Sequence, residues 1–115
     1  MFVLFNYVGV VERYKMQDTT EFYNAEIHIA RLGDIAFASF PFDMFLDYGN
    51  RIRARSYAAQ TFLVQFACGK GGYLSTKKAE SSGSYSADIA SCMVGSQGGD
   101  VLVDEIIEEI KEQFE

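Results

Sequence analysis

The feature that most constrains this fold is a run from Ile35 to Phe40, apolar except for Ser39, which stops at the only proline of the chain, Pro41. A short run of this kind is typical of a strand that other elements cover on both faces. Proline cannot donate a hydrogen bond to a neighbouring strand, so the strand is expected to end there. The sequence therefore predicts a buried strand over residues 35–40, and the rest of the chain has to pack against it.

A helical pattern follows the proline directly and carries an acid, Asp43, in its first predicted turn. Open α/β sheets carry their chemistry at the carboxyl ends of strands, so Asp43 stands where a functional group is expected. An acid in a first helical turn also stabilises unpaired N–H groups, and position alone favours this capping role. The apolar residues of the predicted helix recur at helical spacing and define one buried stripe: Phe42, Phe45, Leu46, Gly49 and Ile52.

Two further segments predict strands that pair with the buried one. Alternation around Ile27 predicts a strand with one wet face, and a tight turn over 32–34 makes it a hairpin partner. The segment 61–68 is apolar on both faces and is expected to be an inner strand. The sequence thus predicts an α/β fold, a mixed sheet of about four strands with flanking helices.

Helices are expected at both ends of the chain. Residues 7–16 favour a helix weakly, and Asp100 is expected to cap the final helix. Apolar residues of that last helix keep helical spacing and form a stripe: Val103, Ile106, Ile107, Ile110 and Phe114. The length of 115 residues suits one domain, residues 1–115.

Charge and cysteine content narrow the classes of function. Ten Lys and Arg residues against sixteen Asp and Glu residues give a net charge of -6, which repels phosphate backbones. Nucleic acid is therefore not an expected partner. Cys68 and Cys92 have no CxxC spacing and are too few for a disulfide scaffold, so buried free thiols are the favoured interpretation, with a single bridge between them as the alternative.

The apolar opening of the chain, residues 1–11, lacks a basic flank and a small-residue cleavage site, and it is too short to cross a bilayer. We therefore expect neither a signal peptide nor a transmembrane segment, and a cytoplasmic location is favoured. The segment is instead interpreted as core material whose partner lies elsewhere in this chain or in another one. Self-association through it is one expectation.

Two loops are candidates for contacts with a ligand. The glycines of 69–76 allow backbone conformations closed to other residues and free Tyr73 to approach a site at a strand end. Residues 79–86 are small and polar, which suggests a mobile or ligand-covering loop. Ser84 and Tyr85 are its candidate substrate-binding residues, and a satisfied local hydrogen-bond network is the plainer alternative.

Three segments of the chain form an ordered set of motifs: RLGDIAFASFPFDMFLDYGNRIRARS, TFLVQFACGKGGYLSTKKAESSGSYSADIA and GGDVLVDEIIEEI. This set resembles the C-terminal part of the catalytic domain in neutral ceramidases and their bacterial ceramidase-like relatives. The similarity covers roughly residues 24–110, in the same order and with closely similar spacing. The resemblance implies that the chain is part of a larger catalytic domain.

The resemblance also implies a zinc-dependent amidase that hydrolyses the amide bond of an N-acyl sphingoid lipid or another amide lipid. In that family two histidines, a glutamate and a tyrosine hold one zinc ion. The glutamate follows a proline by two positions, where this chain has Asp43 in PFDMF. The tyrosine belongs to a Tyr-x-(Ser/Thr)-Thr pattern, which here is Tyr73 in YLST. Asp43 and Tyr73 are therefore the expected metal ligands.

The two histidine ligands of the family lie in segments before the part that this chain resembles. The only histidine, His28, matches neither of them, and a metal role for it is not expected. The resemblance thus implies half of a zinc site, inactive alone, with a partner that supplies the missing N-terminal part. The alternative is a noncatalytic binding or assembly module that has kept the α/β scaffold.

Overall fold

The computed structural model describes residues 2–115, with side chains from residue 8 onward. In chain order its elements are α1 (Phe2–Met16), β1 (His28–Leu32), β2 (Ile35–Ser39), β3 (Asp43–Met44), α2 (Leu46–Arg55), β4 (Gln60–Val64), β5 (Tyr73–Leu74), α3 (Lys77–Ser81) and α4 (Ser96–Phe114). A mixed three-stranded sheet has the order β1-β2-β4, and β3 pairs with β5 in a second sheet. The predicted α/β fold with flanking helices is confirmed.

The apolar run forms β2, which is the middle strand of the larger sheet. It pairs antiparallel with β1, where His28 lies opposite Ser39, and the predicted hairpin is therefore confirmed. It pairs parallel with β4, where Ser39 lies opposite Val64. The carboxyl ends of β2 and β4 and the amino end of β1 consequently meet at one end of the sheet, called here the carboxyl end.

The hydrophobic core lies between one face of β2 and the helices α2 and α4. Ala36 and Ala38 of β2 are buried, as are Tyr48 and Ile52 of α2. The predicted stripe of α4 packs into the same cluster: Val103, Ile106, Ile107 and Ile110 are buried, with Phe114 against them. The helical spacing in the sequence therefore identified the buried face of α4 correctly.

The other face of the sheet is not covered as the sequence analysis expected. Phe37 is 36% exposed and Phe62 is 41% exposed. Their rings stack on each other, with centroids 5.1 Å apart. The prediction that both faces of β2 are covered was wrong, and so was the inner position of the 61–68 strand, because β4 ends at Val64 and lies at the side of the sheet. The apolar residues on this face are Phe37 and Phe62, whose rings shield each other from solvent.

The chain after Pro41 does not enter a helix at once. Asp43 lies on β3, and α2 begins only at Leu46. The backbone N–H of Asp43 donates to the carbonyl of Gly72 (2.9 Å), which keeps this stretch extended. The prediction that Asp43 lies in a first helical turn was therefore wrong, and Leu46 is exposed instead of joining the buried stripe.

The final helix also starts earlier than expected. α4 begins at Ser96, whose backbone N–H and hydroxyl donate to the two carboxylate oxygens of Glu80, each over 2.7 Å. Asp100 lies inside the helix and pairs with Arg51 of α2 at 2.5 Å, so the prediction that it caps the helix was wrong. A carboxylate distant in sequence satisfies the helix start, and the local pattern could not reveal it.

The helix predicted over 7–16 is confirmed as part of α1. Its described side chains include exposed apolar residues, among them Val11 (53% exposed) and Tyr14 (73% exposed). The guanidinium of Arg13 donates to the carbonyl of Ile89, which ties α1 to the segment before α4. Among the described helices, none combines the length and apolar character required to cross a bilayer.

Tyr48 joins the core to two chain segments through its hydroxyl group. The hydroxyl lies 3.0 Å from the carbonyl oxygen of Ser75 and 3.1 Å from that of Ser96. Burial raises the pKa of Tyr48 to about 12, and the nearby carboxylates of Asp100 and Glu80 act in the same direction. The folded state therefore keeps this phenol protonated where an unfolded chain would ionise it.

We expect the free energy of unfolding to fall as pH rises from 10.0, the ordinary tyrosine value, to about 12. In this window the unfolded chain loses the Tyr48 proton while the folded chain retains it, so deprotonation favours unfolding. Tyr48→Phe should remove this component and also destabilise the protein at neutral pH by about 1–3 kcal/mol, because buried carbonyls lose their donor. Urea titrations at several pH values would measure both effects.

Tyr57→Phe is the matched control, because Tyr57 is an exposed tyrosine. It should leave the stability at neutral pH and the alkaline decline unchanged. If the free energy of unfolding fell with the same slope above pH 10.0 in Tyr48→Phe and in the wild type, the raised pKa of Tyr48 would be contradicted.

Candidate functional site

The two residues that the resemblance implies as metal ligands lie opposite each other. Asp43 of β3 is the register partner of Tyr73 of β5, and Met44 is the partner of Leu74. Met44 and Leu74 are buried in the core, so Asp43 and Tyr73, both half-buried, face away from it. Neighbouring strands lie about 4.8 Å apart, so the two side chains leave adjacent strands on the same face of the small sheet. Their role as ligands stays a prediction.

The backbone around this pair is held by hydrogen bonds from several segments. The N–H of Tyr73 donates to the carbonyl of Ser91 (3.0 Å). The N–H of Met44 donates to the side-chain oxygen of Gln65 (2.6 Å). Phe45 packs its ring edge-on against Tyr73, with centroids 6.5 Å apart. Sequence reasoning missed Gln65 and Phe45 because neither residue carries a local signal of contact with the pair.

The glycine-rich loop permits the close approach of β5 to β3. A Cβ atom on Gly71 would lie 2.2 Å from the ring of Phe42 and 2.8 Å from the carbonyl oxygen of Pro41. Gly72 has φ +68°, and a Cβ atom there would lie 2.5 Å from the carbonyl oxygen of Ser91. A larger residue at Gly71 would push the loop away from Pro41 and Phe42, which precede β3, and one at Gly72 would push it away from Ser91.

Asp43 and Tyr73 alone would not complete a catalytic zinc site. Such a site takes about three protein ligands and keeps a position open for water. Across residues 8–115, Asp43 belongs to no group of three His, Cys, Asp or Glu residues whose ligand atoms converge. The aspartate is also one methylene shorter than the family's glutamate. The residues present thus fit half of the coordination shell, and a complete site needs further donors.

A different set of side chains converges elsewhere at the carboxyl end of the sheet. The ligand atoms of Glu26, His28 and Cys68 all lie within 4.8 Å of one another, and all three residues are exposed. The Nε2 atom of His28 lies 2.6 Å from the Oε1 atom of Glu26. The sequence analysis expected no metal role for His28, and the residues that surround it could not be read from spacing along the chain. The three residues are called here the Glu26–His28–Cys68 cluster.

Both cysteines are free thiols, in agreement with the sequence analysis, although the expected burial of Cys68 was wrong. Cys92 is half-buried, and its Sγ atom donates to the carbonyl of Ser86 over 3.3 Å. Cys68 is exposed and has a positive φ of 58°. The apolar residues around Cys68 in the sequence predicted a core strand, but the strand ends before it.

Ser84 contacts a residue close to it in the sequence, and Tyr85 is exposed to solvent. The hydroxyl groups of Ser84 and Ser82 are 3.0 Å apart. Tyr85 is 90% exposed. Helix α3, which Thr76 caps, includes residues 79–81, so the segment 79–86 is not a loop throughout, and its suggested role as a mobile or ligand-covering loop stays a prediction. The alternative of a local hydrogen-bond network accounts for the contacts of Ser84, and a substrate role for both residues stays a prediction.

A groove of about 570 Å³ lies between α1 and the segment before α4. Its lining is largely apolar and aromatic and includes Val10, Tyr14, Phe22, Tyr23, Ile89 and Met93. Asp43 and Tyr73 do not line the groove, which is linked to β5 through Cys92, a lining residue that forms a backbone bridge with Gly72. Tyr23 reaches the same region, with its ring centroid 5.7 Å from that of Phe42.

Comparisons of the chain with protein-family models, with curated proteins and with solved structures found no match. No family is therefore assigned.

We expect Gly71→Ala to destabilise the protein by about 1–3 kcal/mol, the usual range for an overpacked site, because the added methyl group overlaps Phe42 and Pro41. Gly9→Ala is the matched control, because a Cβ atom at Gly9 meets nothing within 4 Å and alanine favours a helix. Chemical unfolding would compare the two variants. Equal stability of Gly71→Ala and the wild type would contradict the close approach of β5 to β3.

Proposed function

We propose that this chain is the part of a ceramidase-like, zinc-dependent amide hydrolase that supplies a carboxylate and a tyrosine to the metal. The observation that carries the proposal is the register pairing of Asp43 with Tyr73 on two short parallel strands. These residues were selected from motifs far apart in the sequence, yet they are neighbours in space. The substrate class is an N-acyl sphingoid or another amide lipid.

The roles of the two residues follow from their chemistry. A bound zinc ion would polarise the amide carbonyl and lower the pKa of its bound water to about 7. The carboxylate of Asp43 is a hard, anionic oxygen donor, and the hydroxyl group of Tyr73 can hold the same ion or donate to a substrate oxygen. The family's two histidine positions have to be supplied from outside the described chain. In this proposal the chain by itself does not turn over substrate.

The groove beside the pair supports a substrate with an aliphatic chain. Its apolar and aromatic lining suits an acyl or sphingoid tail, and Cys92 and Gly72 connect it to the Tyr73 strand. The net charge of -6 does not favour an anionic head group. A neutral amide lipid therefore fits the surroundings better than a phospholipid.

Zinc affinity tests the metal half of the proposal. The background should be the double variant His28→Ala, Cys68→Ala, which removes the Glu26–His28–Cys68 cluster. In it we expect weak zinc binding that Asp43→Ala and Tyr73→Phe each abolish, while the exposed controls Asp47→Ala and Tyr57→Phe have no effect. Added imidazole should strengthen the binding because it can occupy the missing histidine positions. A zinc affinity that is the same in Asp43→Ala, in Tyr73→Phe and in the background variant would contradict the proposal.

Amide hydrolysis tests the catalytic half. We expect the purified chain with zinc to release no fatty acid from a fluorescent N-acyl sphingosine above the uncatalysed rate. Addition of a protein that carries the two histidine segments should start turnover, and Tyr73→Phe should abolish it. Turnover by the chain alone that Tyr73→Phe abolishes would contradict the proposed incompleteness.

The second candidate is a noncatalytic assembly module, which the exposed apolar side chains of α1 favour. Val8, Val11 and Tyr14 are all exposed, and a second copy of the chain could cover them. Light scattering should then report a dimer that Val11→Lys converts to a monomer. A wild-type monomer at high concentration would contradict self-association through α1.

A further inference from the structure

The Glu26–His28–Cys68 cluster combines an oxygen, a nitrogen and a sulfur donor at the protein surface. The three ligand atoms lie within 4.8 Å of one another, although Cys68 is far from the other two residues in the sequence. This donor set differs from that of a calcium or magnesium site, which is built from oxygen atoms alone. Sulfur and imidazole ligands together are typical of zinc and its neighbours in the first transition series.

The fold brings the three residues together through the end of β2. His28 lies opposite Ser39 in the antiparallel pair, so β1 delivers it to the carboxyl end of the sheet. Beyond β4, the N–H of Ala67 donates to the carbonyl of Phe40 (3.0 Å) and anchors the residue before Cys68 to the same end. The cluster is thus positioned by backbone hydrogen bonds on both sides of β2.

The ligand atoms lie within 4.8 Å of one another, so holding a metal ion requires shifts of up to about an ångström. Tetrahedral zinc with nitrogen and oxygen ligands at about 2.0–2.1 Å and sulfur at about 2.3 Å separates its donor atoms by about 3.3–3.6 Å. The pair His28 Nε2 and Glu26 Oε1 is closer than this, at 2.6 Å, because it forms a hydrogen bond. A metal would replace the shared proton, and the exposed Glu26 side chain can retract by the required fraction of an ångström.

We propose that Glu26, His28 and Cys68 bind one divalent transition-metal ion of the zinc class, with a fourth position open to water or to a group from a partner. Binding releases the Cys68 thiol proton to solvent, since the metal binds a thiolate, while a neutral His28 bound through Nε2 keeps its ring proton on Nδ1. The site is independent of the proposed function, because Asp43 belongs to no such group among the residues whose side chains are described.

Zinc titration of the purified, reduced chain with Zn²⁺ alone is the first test. We expect a one-to-one complex whose affinity falls by at least about tenfold in His28→Ala, Cys68→Ser and Glu26→Gln, since even the loss of a supporting partner has an effect of that order. Asp47→Ala, at an exposed aspartate of α2, should leave this affinity unchanged. Glu21→Gln is the control for a nearby exposed acid.

Cobalt absorption is the second test, and it reports the donor atoms directly. Co²⁺ alone should give a thiolate charge-transfer band in the near ultraviolet that disappears in Cys68→Ser and persists in Cys92→Ser. The three ligand residues are exposed, so their variants should keep the far-ultraviolet circular dichroism of the wild type.

Tight zinc binding with the cobalt band in the wild type, and loss of both in the cluster variants, would support the site. Binding that is unchanged in His28→Ala and Cys68→Ser would overturn it, as would a wild-type chain with no thiolate band. Loss of zinc in Asp43→Ala alone would overturn this site while favouring the ceramidase-like one.

Discussion

The close contact between the glycine loop and the end of β2 is the constraint on which the candidate site depends. Gly71 donates its N–H to the carbonyl of Pro41 at 2.6 Å, and no side chain at Gly71 would fit beside Phe42. This contact brings β5 alongside β3 and sets Asp43 opposite Tyr73. The two strands bury only Met44 and Leu74 in the core, and their close approach also needs the absence of a Cβ atom at Gly71.

Two helices hold the other side of the structure through a mixture of apolar and ionic contacts. α2 and α4 bury Tyr48, Ile52 and the stripe of α4 against β2, and their outer faces are joined by Arg51 with Asp100 and Arg55 with Asp104. These ion pairs are partly exposed and each contributes at most about 1 kcal/mol. The apolar stripe therefore determines the packing, and the ion pairs align the helices along it.

Periodicity predicted those elements whose pattern is set by burial on one face. The hairpin of β1 and β2 follows from alternation, and the stripe of α4 follows from helical spacing. In both cases the exposure of a residue depends on its position within its own strand or helix. The start of α2 could not be predicted in this way. Asp43 stays extended because Gly72 accepts its N–H, and that partner is distant in sequence.

The same difference between local and long-range signals applies to the residues of the candidate sites. Sequence motifs identified Asp43 and Tyr73, and the structure then showed that the two residues are register partners on neighbouring strands. The Glu26–His28–Cys68 cluster has no motif, since Cys68 lies on a loop whose apolar neighbours favoured a buried strand. Its donors meet only because β1 and the chain after β4 converge on the end of β2. Long-range convergence of this kind leaves no periodic signal in a single sequence.

The position of β4 at the side of the larger sheet has a consequence for the architecture. Within the part of the chain that the structure describes, the order β1-β2-β4 leaves β4 with a strand partner on one side only. The amide and carbonyl groups of its outer side are a template for another parallel strand. A parallel strand added there would extend the sheet in the direction already set by β2 and β4. The small domain therefore has the geometry of a unit to which a wider sheet can be joined without repacking its core.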